Sequence, residues 1–370
     1  MENDRARQPG RPGPEAAPGA GAEGPLAIID RLSIMAFTDR GEQLAKRIAA
    51  LVRRQNIHAR VDVNRVTDLK KSALAAFKTG NTLLFVGAVA IAVRAIAPLL
   101  KSKTSDPAVL VVDELGRFVI PILSGHIGGA NSDAKALAEA IGATPVITTA
   151  TDINGVFSID TFATENGYVI VNPDAIKLVS TALLEGGTVG LCSDFEIVGQ
   201  LPPQIEPSLD GNIGICISLN TQKTPFKQTL KLVPKCFHVG VGTRKGIDPS
   251  LLLDLFDETL RNLSIPIEAV ATVSSIDIKK NEEAILAVTQ RHRVSFVTYR
   301  VDELAEVADQ FSQSAFVKET VGVGNVCEAA AYLSAKRGMI ELPKIAKDGA
   351  TLAIAREAWR VSFETDYDRA

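Results

Sequence analysis

The sequence predicts an α/β protein in which two α/β domains with mainly parallel sheets flank a smaller middle domain. Apolar runs of strand length alternate with alanine-rich runs of helical periodicity along most of the chain. Hydrophobic residues make up 46% of the sequence and aromatic residues only 5%, which is typical of the aliphatic strands in buried parallel sheets. The length of 370 residues exceeds what one hydrophobic core usually serves, so we expect two or three domains.

Shifts in composition divide the chain into five segments. The first is rich in Pro, Gly, Ala and Arg and poor in large apolar side chains, so it cannot bury a core. The predicted segments are a disordered tail at 1–24, an amino-terminal α/β domain at 25–150, a small middle domain at 151–234, a carboxy-terminal α/β domain at 235–360 and a polar tail at 361–370.

The first α/β domain is predicted from alternating strand and helix patterns. Strands are expected at 31–37, 57–63, 82–86, 109–112 and 146–148, and helices at 42–52, 69–77 and 90–100. Because ligands gather at the carboxyl ends of parallel strands, we expect the turns at 87–88, 113–114 and 124–131 to share one rim of the sheet.

Three helices of the later domains have recognisable first residues. Asn172, Asp248 and Asn325 are N-cap residue types, and Glu328 follows Asn325 at the spacing of a capping box. Capping is therefore a structural alternative to any binding role of Asn325. These helices are predicted at 173–184, 250–263 and 329–335.

Charge, hydropathy and cysteine spacing exclude several classes of protein. The formal net charge of -3 shows no excess of basic residues of the kind that binds nucleic acid. No apolar run reaches the roughly 18 to 20 residues that cross a bilayer, so we expect no membrane partner, and cysteines without a pairing pattern favour a cytoplasmic protein. The four cysteines are scattered without a CxxC pair, which predicts neither a zinc site nor a disulfide framework.

The most informative stretch is the glycine-rich turn at 124–131, between a predicted strand and a predicted helix. Gly125, Gly128 and Gly129 allow positive φ and close approach of a ligand, and a helix start attracts anionic oxygen. His126 lies in the middle of the turn and is suited to proton transfer near neutral pH. The alternative is a glycine turn with a solvated histidine, since short glycine motifs often match by chance.

A second glycine turn, at 240–246, carries Arg244 and Lys245, and a third precedes Asn325. The spacing of the second is not the dinucleotide fingerprint, so NAD and FAD are not expected. Three glycine turns before helices also suggest a phosphate-binding enzyme of nucleotide or sugar metabolism, but no P-loop sequence is present.

These motifs together resemble the cobalt-precorrin-5A hydrolases, the CbiG family of anaerobic cobalamin biosynthesis. Leu-Ser-Gly-His-Ile-Gly-Gly-Ala-Asn at 123–131 and Thr-Ala-Thr-Asp at 149–152 are similar to the amino-terminal signature of that family. The stretches 240–246, 274–279 and 321–331 are similar to its carboxy-terminal domain, in the same order along the chain. Thr243 departs from the pattern, because a cysteine is expected there, and so does the leading segment.

The resemblance implies hydrolysis of a δ-lactone. In that pathway a ring-contracted cobalt tetrapyrrole carries a lactone between an acetate side chain and the extruded carbon, and the enzyme opens it with water and releases acetaldehyde. Such a step needs a base for water and N–H donors for the oxyanion, which we expect from His126 and the Gly128–Gly129 backbone. Ser124 is expected to orient His126 or the substrate, and a role as acyl nucleophile stays open.

The resemblance also implies a substrate with many carboxylates around an apolar ring. The cation candidates are Arg94, Arg244, Lys245 and Lys279, and the other expected substrate contacts are Gly125, Gly128, Gly129, Asn131, Asp152, Gly242, Gly324 and Asn325. Cobalt arrives with the substrate, so no separate cofactor or metal site is expected. The expected protein partner is a second copy in a homodimer, or a neighbouring methyltransferase of the pathway in transient contact.

A carrier that binds the tetrapyrrole without chemistry is the competing hypothesis. Both hypotheses predict affinity for the corrinoid, and they differ at His126. A carrier would use the imidazole as an axial cobalt ligand, whereas a hydrolase would use it for proton transfer.

Overall fold

The computed structural model describes Leu26 and residues 29–102, 104–314, 319 and 322–363. The chain divides between Val146 and Ile147 into two units. The predicted disordered tail at 1–24 lies outside the described residues, as does 364–370.

The first unit is a six-stranded sheet with helices between its strands. Its strands are Arg31–Ala36 (β1), Arg60–Arg65 (β2), Thr82–Val86 (β3), Ala108–Val112 (β4), Phe118–Leu123 (β5) and Thr144–Pro145 (β6). Its helices are Asp39–Gln55 (α1), Leu69–Ala76 (α2), Val89–Ile96 (α3) and Ala130–Ile141 (α4), with a 3-10 turn at Ala97–Leu99.

The strand order is β2-β1-β3-β4-β5-β6. The first four strands in this order are parallel, β5 is antiparallel to β4, and β6 is parallel to β5. Every residue of β3 and β4 is buried, as expected for central strands covered on both faces. Burial of each large aliphatic side chain there contributes about 1.5–3 kcal/mol.

The second unit begins with the middle region. Its helices are Ala150–Ile153 (α5), Ile159–Glu165 (α6) and Asp174–Leu184 (α7), and its strands are Tyr168–Ile170 (β7), Val189–Ser193 (β8), Ile197–Val198 (β9), Ile205–Pro207 (β10), Ile213–Ile217 (β11) and Gln228–Pro234 (β12). The sheet order is β10-β8-β11-β12-β7, in which only β7 is antiparallel to its neighbour.

A third sheet follows in the same unit. Its strands are Phe237–Thr243 (β13), Val270–Ile276 (β14), Ser295–Tyr299 (β15), Met339–Lys347 (β16) and Ala350–Arg356 (β17). The helices are Pro249–Asn262 (α8), Glu283–His292 (α9), Val301–Ala308 (α10) and Cys327–Ser334 (α11), with 3-10 turns at Ile267–Ala269 and Asp277–Lys279. The order is β15-β14-β13-β17-β16, with β13 to β15 parallel and β16 and β17 antiparallel.

Glycine allows α11 to pack directly on β13. A Cβ atom at Gly240 would lie 1.8 Å from the carbonyl oxygen of Cys327, the first residue of α11. Since this obstacle is backbone, no side-chain rotation could relieve it. Gly240 thus sets the close approach that brings the amino end of α11 over β13.

The end of the described chain returns to the middle region, so the two parts of the second unit are joined. Val361–Ser362 (β18) pairs in parallel with β9. Phe363 stacks on Phe162 with ring centroids 4.7 Å apart, and the indole N–H of Trp359 donates to the hydroxyl of Tyr168 at 3.2 Å. The predicted polar tail at 361–370 is therefore wrong for its first three residues, which pack because two of them are large and apolar.

The predicted α/β class with mainly parallel sheets is confirmed. None of the helices that the structure describes is both long enough and apolar enough to pass through a bilayer.

Candidate functional site

The glycine turn at 124–131 lies at the amino ends of the parallel strands of the first unit. It follows β5, which runs antiparallel to β4, and the last residue of β5, Leu123, pairs with Val109 near the start of β4. The turns at 87–88 and 113–114 follow the carboxyl ends of β3 and β4, where the Gly87 N–H donates to the Val112 carbonyl at 2.8 Å. The expectation that all three turns share one rim is therefore wrong.

Ser124 holds the turn against the segment before β4. Its φ of +56° is unusual for a residue with a side chain, and its Oγ donates to the carbonyl oxygen of Asp106 at 2.9 Å. A Cβ atom at Gly128 would lie 2.4 Å from the Ser124 Cβ, so these two residues fit together only because one is glycine. The hydroxyl of Ser124 therefore ties the turn to the segment before β4, and its oxygen keeps the capacity to accept hydrogen bonds.

The turn uses several of its own amides. The N–H groups of Gly129, Ala130 and Asn131 donate to the carbonyls of His126, Ser124 and Gly125 at 2.8, 3.1 and 2.9 Å. The expected contribution of the Gly129 amide to an oxyanion site is therefore wrong for this conformation. The Gly128 amide has no acceptor within the part of the chain that the structure describes, so it remains the candidate donor.

His126 and Asn131 differ in burial. His126 is half-buried in the middle of the turn, whereas Asn131 is 4% exposed on the first turn of α4. A Cβ atom at Gly125 would lie 2.8 Å from the Asn131 Oδ1. Gly125 thus leaves room for the Asn131 amide, which packs against the backbone of the turn.

Asp133, which the sequence analysis did not single out, lies beside the turn. Its side chain is 7% exposed, and its Oδ2 accepts a hydrogen bond from the Thr82 Oγ1 at 2.8 Å. Burial raises the pKa of the carboxyl to about 6, against the opposing effect of the Thr82 hydrogen bond. A signal existed in the sequence: Asp133 lies three residues after Ala130 and four before Leu137, on the buried face of α4.

A cavity of ≈ 320 Å³ opens at this rim of the first unit. Thr82, Ala108, Ile127, Gly128 and Asp133 contribute to its wall. The ionisable residues among those described as lining it are Asp30, Arg31, Asp106 and Asp133. This cavity brings together the free amide of the glycine turn and the buried carboxyl of α4.

Of the expected site residues in the first unit, Gly128 is among the described residues that line this cavity, whereas Ser124, Gly125, His126, Gly129 and Asn131 of the same turn are not. Arg94 is exposed on the last turn of α3 and is not among the described residues that line the cavity. Asp152 lies in the second unit, half-buried in the short helix α5.

The second glycine turn follows the carboxyl end of β13, as expected for a ligand rim. Gly242 packs against Thr351, whose Oγ1 donates to the Gly242 carbonyl at 3.2 Å. The Arg244 N–H donates to the Gly349 carbonyl at 2.9 Å, and the side chains of Arg244 and Lys245 are exposed. Both cations are therefore accessible to a soluble ligand.

Lys279 is held in an ion pair. Its Nζ lies 2.8 Å from the Glu282 Oε2, and its side chain is only 16% exposed. The other oxygen of Glu282 accepts the Gly246 N–H at 3.0 Å. Burial opposes the charged form of Glu282, but the hydrogen bonds from Lys279 and Gly246 outweigh it and lower its pKa. Glu282 thus fixes the loop that carries Arg244, and Lys279 is the ion-pair partner of Glu282.

Two buried oxygens at this rim lack a partner within the described residues. They are the Thr243 Oγ1 and the Asp277 Oδ1. Gly240 of β13 pairs with Ser274 of the neighbouring strand β14, and Thr243 and Asp277 each follow three residues later. Unpaired buried oxygens are uncommon in folded proteins, so both atoms have hydrogen-bonding capacity that the described residues do not use. In the sequence, Thr243 stands out only as a departure from the family pattern.

Asn325 has a structural role. It is 1% exposed, its Oδ1 accepts the Glu328 N–H at 3.0 Å, and its Nδ2 donates to the Ser312 carbonyl at 2.9 Å and to the Glu328 carboxylate. The bond from the Glu328 N–H fits the capping interpretation, but Val326 is the N-cap residue and the Glu328 carboxylate accepts the side chain of Asn325, so the expected capping box is not formed. Gly324 faces Gln313, whose Oε1 would lie 2.0 Å from an added Cβ, so it too serves packing.

In the part of the chain that the structure describes, no group of three or more His, Cys, Asp or Glu side chains could hold a metal ion. The four cysteines are all buried and free.

Three family models match the chain in order. They are described as Cobalamin synthesis G N-terminal, over residues 72–152, Cobalamin biosynthesis central region, over residues 157–234, and Cobalamin synthesis G C-terminus, over residues 237–355.

Curated relatives match over most of their length. A protein named cobalt-precorrin-5A hydrolase from Salmonella typhimurium is 34% identical over 343 residues, covering 88% of this chain and 97% of that protein. A protein of the same name from Priestia megaterium is 25% identical, covering 90% and 97%. A solved cobalamin biosynthesis protein G homologue from Sulfolobus solfataricus is 22% identical, covers 90% of this chain and 98% of its own, and superposes with a TM-score of 0.43.

Proposed function

Because the chain belongs to the cobalt-precorrin-5A hydrolase (CbiG) family, we propose that it opens the δ-lactone of cobalt-precorrin-5A with water. Acetaldehyde is released and cobalt-precorrin-5B is formed, a step of anaerobic cobalamin biosynthesis. The observation that carries this proposal is the 34% identity to the Salmonella protein, which extends over 97% of that protein. Nearly all of that relative therefore has a counterpart in this chain.

The reaction places two demands on the protein. Water must add to an ester carbonyl while negative charge develops on its oxygen, and the freed alcohol must then lose a proton as the carbon–carbon bond breaks. Preorganised N–H donors meet the first demand. The free amide of Gly128, close to the positive end of the α4 dipole, is the donor that the geometry of the turn supports.

His126 is the proposed proton acceptor for the second demand. It is half-buried in the turn that carries Gly128, and an imidazole exchanges protons near neutral pH. The corrinoid ring takes up the electron pair of the broken bond, so the protein supplies no redox group. Cobalt enters as part of the substrate, and the proposal includes no further cofactor.

The exposed cations of the second unit are proposed carboxylate-binding groups. Arg244 and Lys245 point from the loop after β13 without an ion-pair partner among the described residues, and an arginine can hold a carboxylate with two hydrogen bonds. The Thr243 hydroxyl, buried and without a partner among the described residues, is a candidate donor beside them. Peripheral carboxylates of the tetrapyrrole are the matching ligand groups.

The test is turnover of the lactone-bearing cobalt tetrapyrrole in water enriched in oxygen-18. The proposal predicts acetaldehyde in the medium and one heavy oxygen in the freed acetate carboxylate of the product, both measured by mass spectrometry. Tight binding without acetaldehyde would replace the hydrolase with a carrier. A change in the visible spectrum on binding, lost in His126→Asn, would then identify the histidine as an axial cobalt ligand.

A homodimer, or transient contact with a neighbouring methyltransferase, completes the proposal. Analytical ultracentrifugation of the full chain, alone and mixed with the methyltransferase that precedes this step, distinguishes the two. A chain that stays monomeric and does not bind the methyltransferase would contradict both the homodimer and the transient contact.

A further inference from the structure

The Asp133 carboxyl is a second group in the first unit that can transfer protons. It is nine-tenths buried and lines the ≈ 320 Å³ cavity at the amino ends of β1, β3 and β4. Ligand sites usually measure about 300–1,000 Å³, so this cavity has room for one substituent of a macrocycle and not for the macrocycle itself.

Burial and hydrogen bonding together separate Asp133 from the other carboxylates that line this cavity, since Asp30 is exposed and Asp106 is bonded to backbone amides. The Asp106 carboxylate accepts the N–H groups of Lys101 and Ser102, and Asp30 accepts from the Asn56 amide at 3.1 Å. Asp133 receives only the Thr82 hydroxyl within the described chain. A carboxylate can accept about four hydrogen bonds, so Asp133 has acceptor capacity left for a molecule in the cavity.

The protonation of Asp133 suits a general base. Its raised pKa of about 6 leaves it mostly ionised at neutral pH. It is also more basic than an ordinary aspartate, and a catalytic base works best when its pKa lies near the working pH. Arg31 is the cation among the described residues that line the cavity, and it is exposed and makes no ion pair with Asp133. The carboxylate is therefore not neutralised by a partner.

Gly128 lines the same cavity. Its N–H has no acceptor among the described residues, whereas the N–H groups of Gly129, Ala130 and Asn131 donate within the turn itself. A base and an N–H donor in the lining of one small cavity are the pair of groups that adding water to an ester carbonyl requires.

We propose that this cavity receives the lactone-bearing arm of the tetrapyrrole and that Asp133 is the catalytic base that activates water there. This inference rests on the proposed function, and it adds a residue and a binding place that the family resemblance did not supply. Thr82 is the positioning residue, since its hydroxyl holds one oxygen of the carboxylate and leaves the other for water.

The step is balanced within the site. The water oxygen bonds to the lactone carbonyl carbon as one water proton moves to the Asp133 carboxylate. The carbonyl oxygen, now negative, is held by the Gly128 amide. The ring carbon–oxygen bond then breaks, and the leaving alkoxide takes the proton back from Asp133, so the carboxylate is regenerated. His126 accepts the alcohol proton in the later release of acetaldehyde.

The experiment measures acetaldehyde release by the full-length protein on cobalt-precorrin-5A between pH 5 and pH 8. The variants are Asp133→Asn and Thr82→Val, and the control is Glu139→Gln, which removes a carboxylate from the exposed side of the same helix. Asp133→Asn should lower kcat on the order of a hundred-fold or more with substrate affinity retained. Glu139→Gln should match the wild type.

The Thr82→Val variant distinguishes a catalytic from a structural role of Asp133, because a purely structural role would leave the pH profile of kcat/KM unchanged. Loss of one hydrogen bond to the carboxylate should shift the acidic limb of kcat/KM upward by about one pH unit, because the base becomes harder to ionise. A limb that stays in place would assign the titration to another group, such as His126, and overturn the inference, as would an Asp133→Asn variant within threefold of the wild type. A wild type that releases no acetaldehyde would instead refute the proposed function, and this inference with it.

Discussion

Replacing Asp133 with asparagine should stabilise the first unit while removing activity. A buried carboxyl whose pKa is raised is a cost to the fold whenever it is ionised. Asparagine has nearly the same shape, carries no charge, and keeps an oxygen that can accept the Thr82 hydroxyl. A residue needed only for structure would show the opposite result on substitution.

The magnitude follows from the shift in the pKa. Burial moves it from 3.8 to about 6, and each pKa unit corresponds to about 1.36 kcal/mol, so ionisation costs the fold at most about 3 kcal/mol at pH 7. Since the folded pKa lies above the unfolded one, the wild type is relatively stable below pH 4 and loses that stability as the pH rises through 6. The buried amide of asparagine costs about 1 kcal/mol, which leaves a net gain of about 2 kcal/mol at pH 7.

Hydrogen exchange of amides in β3 and β4 is the assay, because it reports the opening free energy of this unit separately from the other. The gain of Asp133→Asn should shrink as the pH falls from 7 towards 4. Asp106→Asn is the matched control: it removes an equally buried carboxylate, but one that accepts the amides of Lys101 and Ser102, so it should destabilise by about 1–3 kcal/mol. If Asp133→Asn destabilised the unit at pH 7 as Asp106→Asn does, Asp133 would be a structural residue.

The remaining predictions concern the two glycine turns. His126→Asn should keep the fold and most of the substrate affinity while turnover falls on the order of a hundred-fold; normal turnover with normal binding would remove the imidazole from the chemistry. Gly128→Ala should lower the free energy of unfolding by about 1–3 kcal/mol, because the added methyl group overpacks against Ser124. Gly129→Ala meets no atom within 4 Å and should lower it by about 1–2 kcal/mol through its positive φ alone. Equal activities of the two variants would contradict a catalytic role of the Gly128 amide. Arg244→Ala should raise the KM more than it lowers kcat, because a ring carboxylate is held equally in ground and transition states, and Arg261→Ala, at the far end of α8, should change neither.

Elements with a strong apolar pattern could be predicted from the sequence. The fully buried strands β3 and β4 were expected within one residue of their observed bounds, because a run of aliphatic residues fits only a strand covered on both faces. The short strand β6 was expected at 146–148 and lies at Thr144–Pro145. Two paired residues on an edge have no burial pattern of their own, so periodicity could not locate them.

The antiparallel direction of β5 follows from the length of the loop that precedes it. Only five residues separate β4 from β5, and a parallel crossover needs about a dozen or more. The structure closes this turn with the Asp113 carboxylate, which accepts the N–H groups of Arg117 and Phe118 at 2.7 and 2.8 Å. Loop length therefore predicts the hairpin, and with it the rim on which the glycine turn lies.

Side-chain partners distant in sequence explain the other differences. The Asn325 Oδ1 accepts the Glu328 N–H three residues along, as a capping residue would, although α11 begins at Cys327 and its N-cap residue is Val326. Asn172 was expected to do the same, but its Nδ2 donates to the Thr229 carbonyl and its Oδ1 accepts the Lys231 N–H. The same residue type thus has two uses, and which one prevails depends on a strand 57 residues along the chain.

The reversal of β5 is what makes an acid–base site possible in the first unit. Because β5 runs against β4, the turn at 124–131 and the first turn of α4 come to the amino ends of the parallel strands, where Thr82 begins β3. A parallel β5 would start α4 at the opposite rim, and Asp133 could not meet the Thr82 hydroxyl. The hairpin therefore buries a carboxylate with a single hydrogen bond, beside a free glycine amide, at a cost of about 3 kcal/mol when ionised. Proton transfer needs such a group, whereas packing alone would be better served by an uncharged side chain.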